Sequence, residues 1–163
     1  MKTITGHCLV FGDSLNTGTI ISVKHLSRAA TPEELVPYLF EAERPGIAPL
    51  LKGAIIVGGD NFGSGSSREH PVHALKAAGV QAVLARSFAR SFFRNAINLG
   101  LPVVEADTTG FADEHRVVID LEHGVVRNHD LGTELPIRPL PPIMSALLEE
   151  GGLVPYFRKH GHL

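Results

Sequence analysis

The run from Gly59 to Pro71, GDNFGSGSSREHP, gathers three glycines, three serines, an aspartate, an asparagine, an arginine, a glutamate and a histidine into thirteen residues. These are groups that bind anions and move protons. Gly63 and Gly65 admit positive φ and let a ligand approach the main chain closely. Ser66, with Glu69 three residues later, reads as a capping box in which the serine hydroxyl bonds first-turn amides. A helix start of that kind favours negative charge through its free N–H groups and its dipole. Arg68 adds a planar fork of donors suited to a carboxylate or a phosphate. Pro71 lacks an N–H and pushes His70 away from the helical region. The helix therefore starts either at the serine cap or at Pro71, and in the second case residues 66–69 form an irregular loop. Both arrangements suit an anionic ligand.

Familiar glycine motifs do not account for the run. Gly58 and Gly63 have the P-loop spacing, but Ser64 stands where lysine is needed. A dinucleotide fingerprint beginning at Gly63 and Gly65 would require glycine at Arg68. No window supplies a Gly-x-Ser-x-Gly nucleophile elbow, and no triad spacing surrounds the serines. On pattern alone, a loop that merely caps a helix, with Arg68 solvated, stays open beside a binding site.

The elements that would position the run are legible on both sides. Ala54–Ile55–Ile56–Val57 is a short apolar run of the buried-strand kind, and Val72 to Ala78 is rich in helix formers. A polar turn between a buried strand and a helix lies where α/β proteins place ligands, outside the carboxyl ends of the strands. Upstream, Thr3 to Phe11 reads as a strand, with polar turns at Gly12–Asp13–Ser14 and Asn16–Thr17–Gly18–Thr19. Thr31–Pro32–Glu33–Glu34 signals a helix start whose buried face is Tyr38–Leu39–Phe40. Downstream, Val80 to Ala85 and Leu101 to Glu105 are further buried strands. Between them Ser87 caps an amphipathic helix, with Phe88, Phe92 and Ala96 as a core stripe and Arg86, Arg90 and Arg94 as a solvated face. Arg116 to Val126 reads as an antiparallel hairpin and Thr133 to Leu140 as extended chain. Pro142 to Glu150 is a closing helix stopped by Gly151–Gly152, after which His160 and His162 belong to a tail. Helix-linked strands followed by a hairpin indicate a mixed α/β sheet with flanking helices, in a single domain spanning 1–163.

Composition narrows the function. The chain has 163 residues, 44% hydrophobic and 20% charged, with a net charge of −2, which is the profile of a globular protein without a basic tract for nucleic acid. No apolar run reaches the length of a membrane span, and no signal-peptide pattern opens the chain. The nine histidines are scattered, and Cys8 is the only cysteine. No metal site and no thiolate set for a cluster is therefore expected of this chain, and a reducing, cytoplasmic setting is.

NFGSGSSREH, followed by AVLARSFARSFFRNAINLGLP, resembles the swivelling domain of the aconitase superfamily. A stand-alone chain of this length is similar to small subunits of the 3-isopropylmalate dehydratase type. The resemblance implies β/β/α layers and a hydro-lyase reaction on a small di- or tricarboxylate. It also implies a hetero-oligomer with a large subunit that carries a 4Fe–4S cluster. Within the matching motif it makes Ser66 the base and Arg68 a catalytic carboxylate clamp. Ser67, Gly65 and Asn61 bind substrate, and Arg28 and Lys24 stand on the segment that senses the substrate's side chain.

Two departures bear on the substrate. Relatives carry a D-x-D-T-D-like pattern near the first turn; here Asn16 and Gly18 replace acidic positions, which weakens or rewires any network with an active-site arginine. The following segment reads His25–Leu26–Ser27–Arg28 where relatives tend to have tyrosine–leucine–arginine. 3-Isopropylmalate, an intermediate of leucine biosynthesis, is the first expectation. 2-Methylmalate (with citraconate), 2,3-dimethylmalate, homoaconitate-type substrates, and a non-catalytic binding module remain alternatives.

Overall fold

The computed structural model describes residues 3–163. Its centre is a seven-stranded mixed sheet. β1 (Thr3–Val10) runs parallel to β2 (Ala54–Val57), which is followed outward by β3 (Ala82–Ala85) and β4 (Val103–Glu105). On its other side β1 pairs antiparallel with β5 (Arg116–Asp120), which is continued by β6 (Val125–Asn128) and β7 (Thr133–Pro136). Every residue of β2 and β3 is buried, which explains why their sequences show no polar alternation: both faces of the parallel half are covered.

The two faces are covered differently. One meets the helices: Leu9, Ile56 and Val83 pack with Val72 and Leu75 of α3 (His70–Ala77) and with Phe92 and Ala96 of α4 (Arg90–Leu99). On the other, Cys8, Ile55, Val57 and Leu84 pack against Val117, Ile119 and Val126 from the antiparallel half. The sheet curls to do this, and beyond β7 the Arg138 N–H reaches the Glu105 carbonyl at the end of β4, at 3.2 Å. The result is the expected arrangement of helices, parallel sheet and antiparallel sheet in layers.

Several local expectations are corrected. Asn16–Thr17–Gly18–Thr19 is not an open turn: Thr17–Ile20 forms a one-turn helix, α1, with the Asn16 carboxamide accepting the Thr19 N–H at 2.8 Å. A second short helix, α2, spans Val23–Leu26. The Pro32 segment is a 3-10 helix, Pro32–Tyr38, because Pro37 inside it removes a donor. Leu39 and Phe40 are buried as expected, but Tyr38 is exposed and stacks on His25, 4.0 Å between centroids. Ser87 does not cap α4, which begins at Arg90 after Ala89.

Most of the predicted tail is helical. Gly151, at φ 88°, ends α5 (Pro142–Glu150), and Gly152, at φ 123°, launches a further helix, α6 (Leu153–His160). Gly152 lies so close to α4 that a Cβ would sit 2.6 Å from the Asn98 carbonyl oxygen. His160 falls in α6, 3.5 Å from the Glu150 carboxylate. No described helix is long and apolar enough to cross a membrane.

Cys8 lies fully buried in the middle of β1, and burial, aided by the charges of Asp130 and Asp113, pushes its thiol up from 9.0 to about 12. The native protein at pH 8 is expected to resist a disulfide-exchange thiol reagent until it unfolds. Because the folded value is the higher one, the stability this thiol contributes is intact below pH 9 and is lost as pH rises towards 12. Rapid native-state labelling at pH 8 would contradict this burial.

Candidate active site

The glycine-rich run leaves the C-terminal end of β2 and is laced on both sides to neighbouring strand exits. Towards β1, Gly63 N–H donates to the Leu15 carbonyl at 2.7 Å, and Thr17 N–H donates to the Ser64 carbonyl at 2.8 Å. Towards β3, Phe62 N–H donates to the Ser87 carbonyl at 3.0 Å, and Ala89 N–H returns a bond to the Phe62 carbonyl at 2.9 Å. Three loops thus lie edge to edge as an extension of the parallel sheet. From the β4 exit, the buried Thr108 hydroxyl donates to the Gly58 carbonyl at 2.7 Å.

Glycine is required where the loop crosses α4. Gly63 has φ 83°, and a Cβ there would overlap the Phe92 ring. Phe62 turns into the same pocket and meets Phe92 edge-on at 5.2 Å between centroids. The first half of the loop is therefore anchored by an aromatic cluster beneath and by backbone pairing on each side. Asn61 takes a left-handed conformation, φ 54°, with its N–H donating to the Ser87 hydroxyl at 2.7 Å and its side chain exposed. Holding Asn61, rather than capping α4, is what Ser87 does.

The second half, Gly65 to Glu69, projects from this anchor. Gly65 has φ 103°. The Ser66 N–H donates to the Thr17 hydroxyl at 3.0 Å, and the half-buried Ser66 hydroxyl accepts the Arg68 N–H at 3.1 Å. The capping box does not form: α3 begins at His70, with Glu69 before it making no side-chain cap. The irregular-loop arrangement is the one adopted, although His70 already belongs to the helix. Asn95 on α4 donates its carboxamide to the Ser67 carbonyl at 2.9 Å and to the Arg68 carbonyl at 3.4 Å. Ser67 and Arg68 are exposed. Among the described residues the Gly65 and Ser67 amides have no acceptor and the Arg68 guanidinium has no ion-pair partner. An anion arriving here meets one free guanidinium, two free amides and two hydroxyls.

Beside the loop lies a charge network not anticipated from sequence. Arg86, at the exit of β3 and not on α4, bridges Asp13 from the β1 exit at 2.7 Å and Asp60 from the glycine-rich run at 3.1 Å. The Asp60 N–H also donates to Asp13 at 2.7 Å. Hydrogen bonding from Asp60, with the charges of Asp60, Asp13 and Asp107, holds the Arg86 guanidinium above its ordinary value. Thr109 in turn holds Asp107 below the usual carboxylate range. Asn16 caps α1, and Asp13 and Asp60 pair with Arg86. Neither the placement of Arg86 nor the role of Asn95 has a local sequence signal beyond the run that contains them.

Lys24 and Arg28 stand apart from this cluster. Lys24 is 3.7 Å from Glu41, whose carboxylate also meets His25 at 2.5 Å, and hydrogen bonding from His25 holds Glu41 below its usual range. Arg28 lines a groove with His25, Glu34 and Tyr38. Their contacts are with the segment that follows α2, not with the glycine-rich run.

Gly63→Ala is expected to cost roughly 2–4 kcal/mol, from backbone strain plus overlap with Phe92. Gly63→Ala/Phe92→Leu should recover part of that loss in denaturant unfolding, a non-additivity expected only of touching residues. Additive losses would contradict the close approach.

Comparisons with known proteins follow the same outline. The aconitase C-terminal domain family matches residues 51–108, which include the whole glycine-rich run. A 3-isopropylmalate dehydratase small subunit 1 from Archaeoglobus fulgidus is 48% identical over 153 residues, covering 93% of this chain and 94% of that one. One from Methanopyrus kandleri is 46% identical over 161 residues, covering 97% and 94%. The crystal structure of a 3-isopropylmalate dehydratase from Methanocaldococcus jannaschii superposes with a TM-score of 0.93 at 37% identity, covering 98% of this chain and 96% of that one. Aconitase X from Thermococcus kodakaraensis, at 18% identity and a TM-score of 0.50, covering 84% and 91%, shares the fold.

Proposed function

The chain belongs to the family of 3-isopropylmalate dehydratase small subunits, and we propose that it supplies the proton-transfer half of an active site that dehydrates and rehydrates 3-isopropylmalate, in leucine biosynthesis. The observation that carries this reading is the bond from the Arg68 N–H to the Ser66 hydroxyl oxygen, at 3.1 Å. A serine is a poor base unless donors stabilise its alkoxide, and a backbone N–H aimed at Oγ is such a donor.

In this reading the Arg68 guanidinium holds a substrate carboxylate through two parallel hydrogen bonds. The Gly65 and Ser67 amides, the Ser67 hydroxyl and the Asn61 side chain complete the binding surface. Ser66, as the alkoxide, takes the proton from the carbon next to that carboxylate. The C–H electron pair forms the C=C bond as the neighbouring C–O bond breaks, and the leaving oxygen departs as water on receiving a proton from a general acid of the large subunit. Return of the proton, with water added in the reversed register, moves the hydroxyl to the other carbon. Lys24 or Arg28, on the separate segment after α1, contacts a substrate carboxylate in this reading.

Loss of a hydroxyl calls for a Lewis acid, and this chain's residues do not suit an iron–sulfur cluster. Its one thiol is buried within β1 with a value near 12, and no group of three or more His, Cys, Asp or Glu side chains converges among the described residues. In this reading a large subunit carries the 4Fe–4S cluster, as the family resemblance implies, and this chain is a single swivelling domain of a cytoplasmic hetero-oligomer. A related substituted malate is the second reading, favoured by His25 and Arg28 in the segment that departs from relatives.

The test is an anaerobic assay of the chain combined with its cluster-bearing large subunit, on isopropylmaleate, citraconate, dimethylmaleate and cis-homoaconitate. Isopropylmaleate should give the highest kcat/KM. Ser66→Ala should lower kcat about 1,000-fold or more with assembly intact, whereas Arg68→Lys should chiefly raise KM, since it keeps the charge and loses the fork. An active Ser66→Ala complex removes the serine base; silence on all four substrates with the complex formed removes the reaction.

A further inference from the structure

A cleft of about 530 Å³ lies alongside the strand exits, away from Ser66 and Arg68. Its floor is apolar, made of Phe88, Phe93, Leu140 and Met144 with the prolines 139 and 141, and its rim carries Arg90, Arg94 and Arg138 with one carboxylate, Glu105. Glu105 pairs with Arg138 at 3.1 Å. Arg90 and Arg94 are exposed and have no ion-pair partner among the described residues.

Arg90 is placed against local electrostatics. It is the first residue of α4, whose first turn contains no acidic side chain. A cation at the positive end of a helix dipole is unfavourable, and no carboxylate among the described residues pairs with Arg90. An external carboxylate would offset this. The cleft is also built unlike a small-molecule site, where a few polar groups converge in an enclosed pocket. Here the cations stand on the rim, with the Arg138 side chain 79% exposed. Arginine, phenylalanine and methionine without lysine is instead the composition of protein interfaces.

The cleft adjoins the charge network beside the glycine-rich loop. Glu105 and Arg138 also line the adjoining hollow formed with Arg86 and Asp107. Phe88 on the floor packs edge-on against Phe62 of the glycine-rich run, 5.9 Å between centroids. Whatever fills the cleft therefore touches the aromatic support of the catalytic loop.

We propose that this cleft is a docking surface for the large subunit, and that it receives a segment presenting an apolar side chain flanked by carboxylates. The proposal rests on the functional reading above, which requires a second chain. It goes beyond that reading by naming the surface and the chemistry of the segment that fits it.

The test measures association of the full-length chain with the cluster-bearing large subunit by sedimentation equilibrium, at low and at physiological salt. Arg90→Glu/Arg94→Glu should raise Kd about 100-fold and flatten its salt dependence. The variant should still fold, because glutamate suits the start of α4. Met144→Asp should weaken association comparably through the floor, and Arg94→Ala, the mildest change, should weaken it at low salt and so reduce the salt slope. Ser66→Ala should associate as the wild type does. If the wild-type complex forms and turns over substrate while Arg90→Glu/Arg94→Glu binds with unchanged affinity, the docking surface is overturned and the functional reading stands. If the wild-type chain forms no complex, both fall. Should the double variant fail to fold, an unchanged salt slope in Arg94→Ala overturns the proposal by itself.

Discussion

The site depends on one steric constraint: the glycine-rich loop crosses α4 with only a hydrogen between the Gly63 backbone and the Phe92 ring. That approach sets the depth of the loop, and depth sets register. At this depth Gly63 reaches Leu15, Ser64 meets Thr17, and Phe62 pairs with the strip from Ser87 to Ala89. Raising the loop by the width of a methyl group would break these bonds together. Ser66, Ser67 and Arg68 follow directly on this paired stretch and are held further by the Thr17 hydroxyl and the Asn95 carboxamide, so their position starts from a contact made by residues with no chemistry of their own.

Electrostatics then sorts the arginines. Arg86 is held between Asp13 and Asp60, and its charge is spent within the protein. All three side chains are substantially exposed, so these pairs add little to stability. Their larger effect is to tie the exits of β1, β2 and β3 and to leave Arg68 as the free guanidinium of the loop. The Glu41 carboxylate does something similar for Lys24 and His25 across the segment after α2.

What the sequence shows well is whatever is written locally. The apolar run before Gly59, the helix after Pro71 and the positive φ of Gly63 and Gly65 all follow from neighbouring residue types. So do the buried strands of the parallel half and the hairpin after Arg116. What it hides is lateral. Arg86 shares a helical spacing with Arg90 and Arg94, yet the helix begins only at Arg90, leaving Arg86 to face two carboxylates 73 and 26 positions away. Ser87 looks like a cap and instead supports Asn61, because the loops lie edge to edge and the nearest donor comes from the next strand exit. Gly151–Gly152 looks like an ending, and only the contact of Gly152 with the end of α4 shows it to be a tight connection into α6. Each miss is a case of tertiary packing deciding between two locally acceptable readings.

The central claim is that one loop is divided into a locked half and an open half. Amide hydrogen exchange on the wild-type chain, resolved by residue, reads this directly. The Phe62, Gly63 and Thr17 amides, each bonded across to a neighbouring loop, should exchange at least about 100-fold more slowly than the Gly65 and Ser67 amides, which have no acceptor among the described residues. Equal and rapid exchange from residue 62 through 67 would mean that the loop is not held by its neighbours, and the positioning of Ser66 and Arg68 would lose its physical basis.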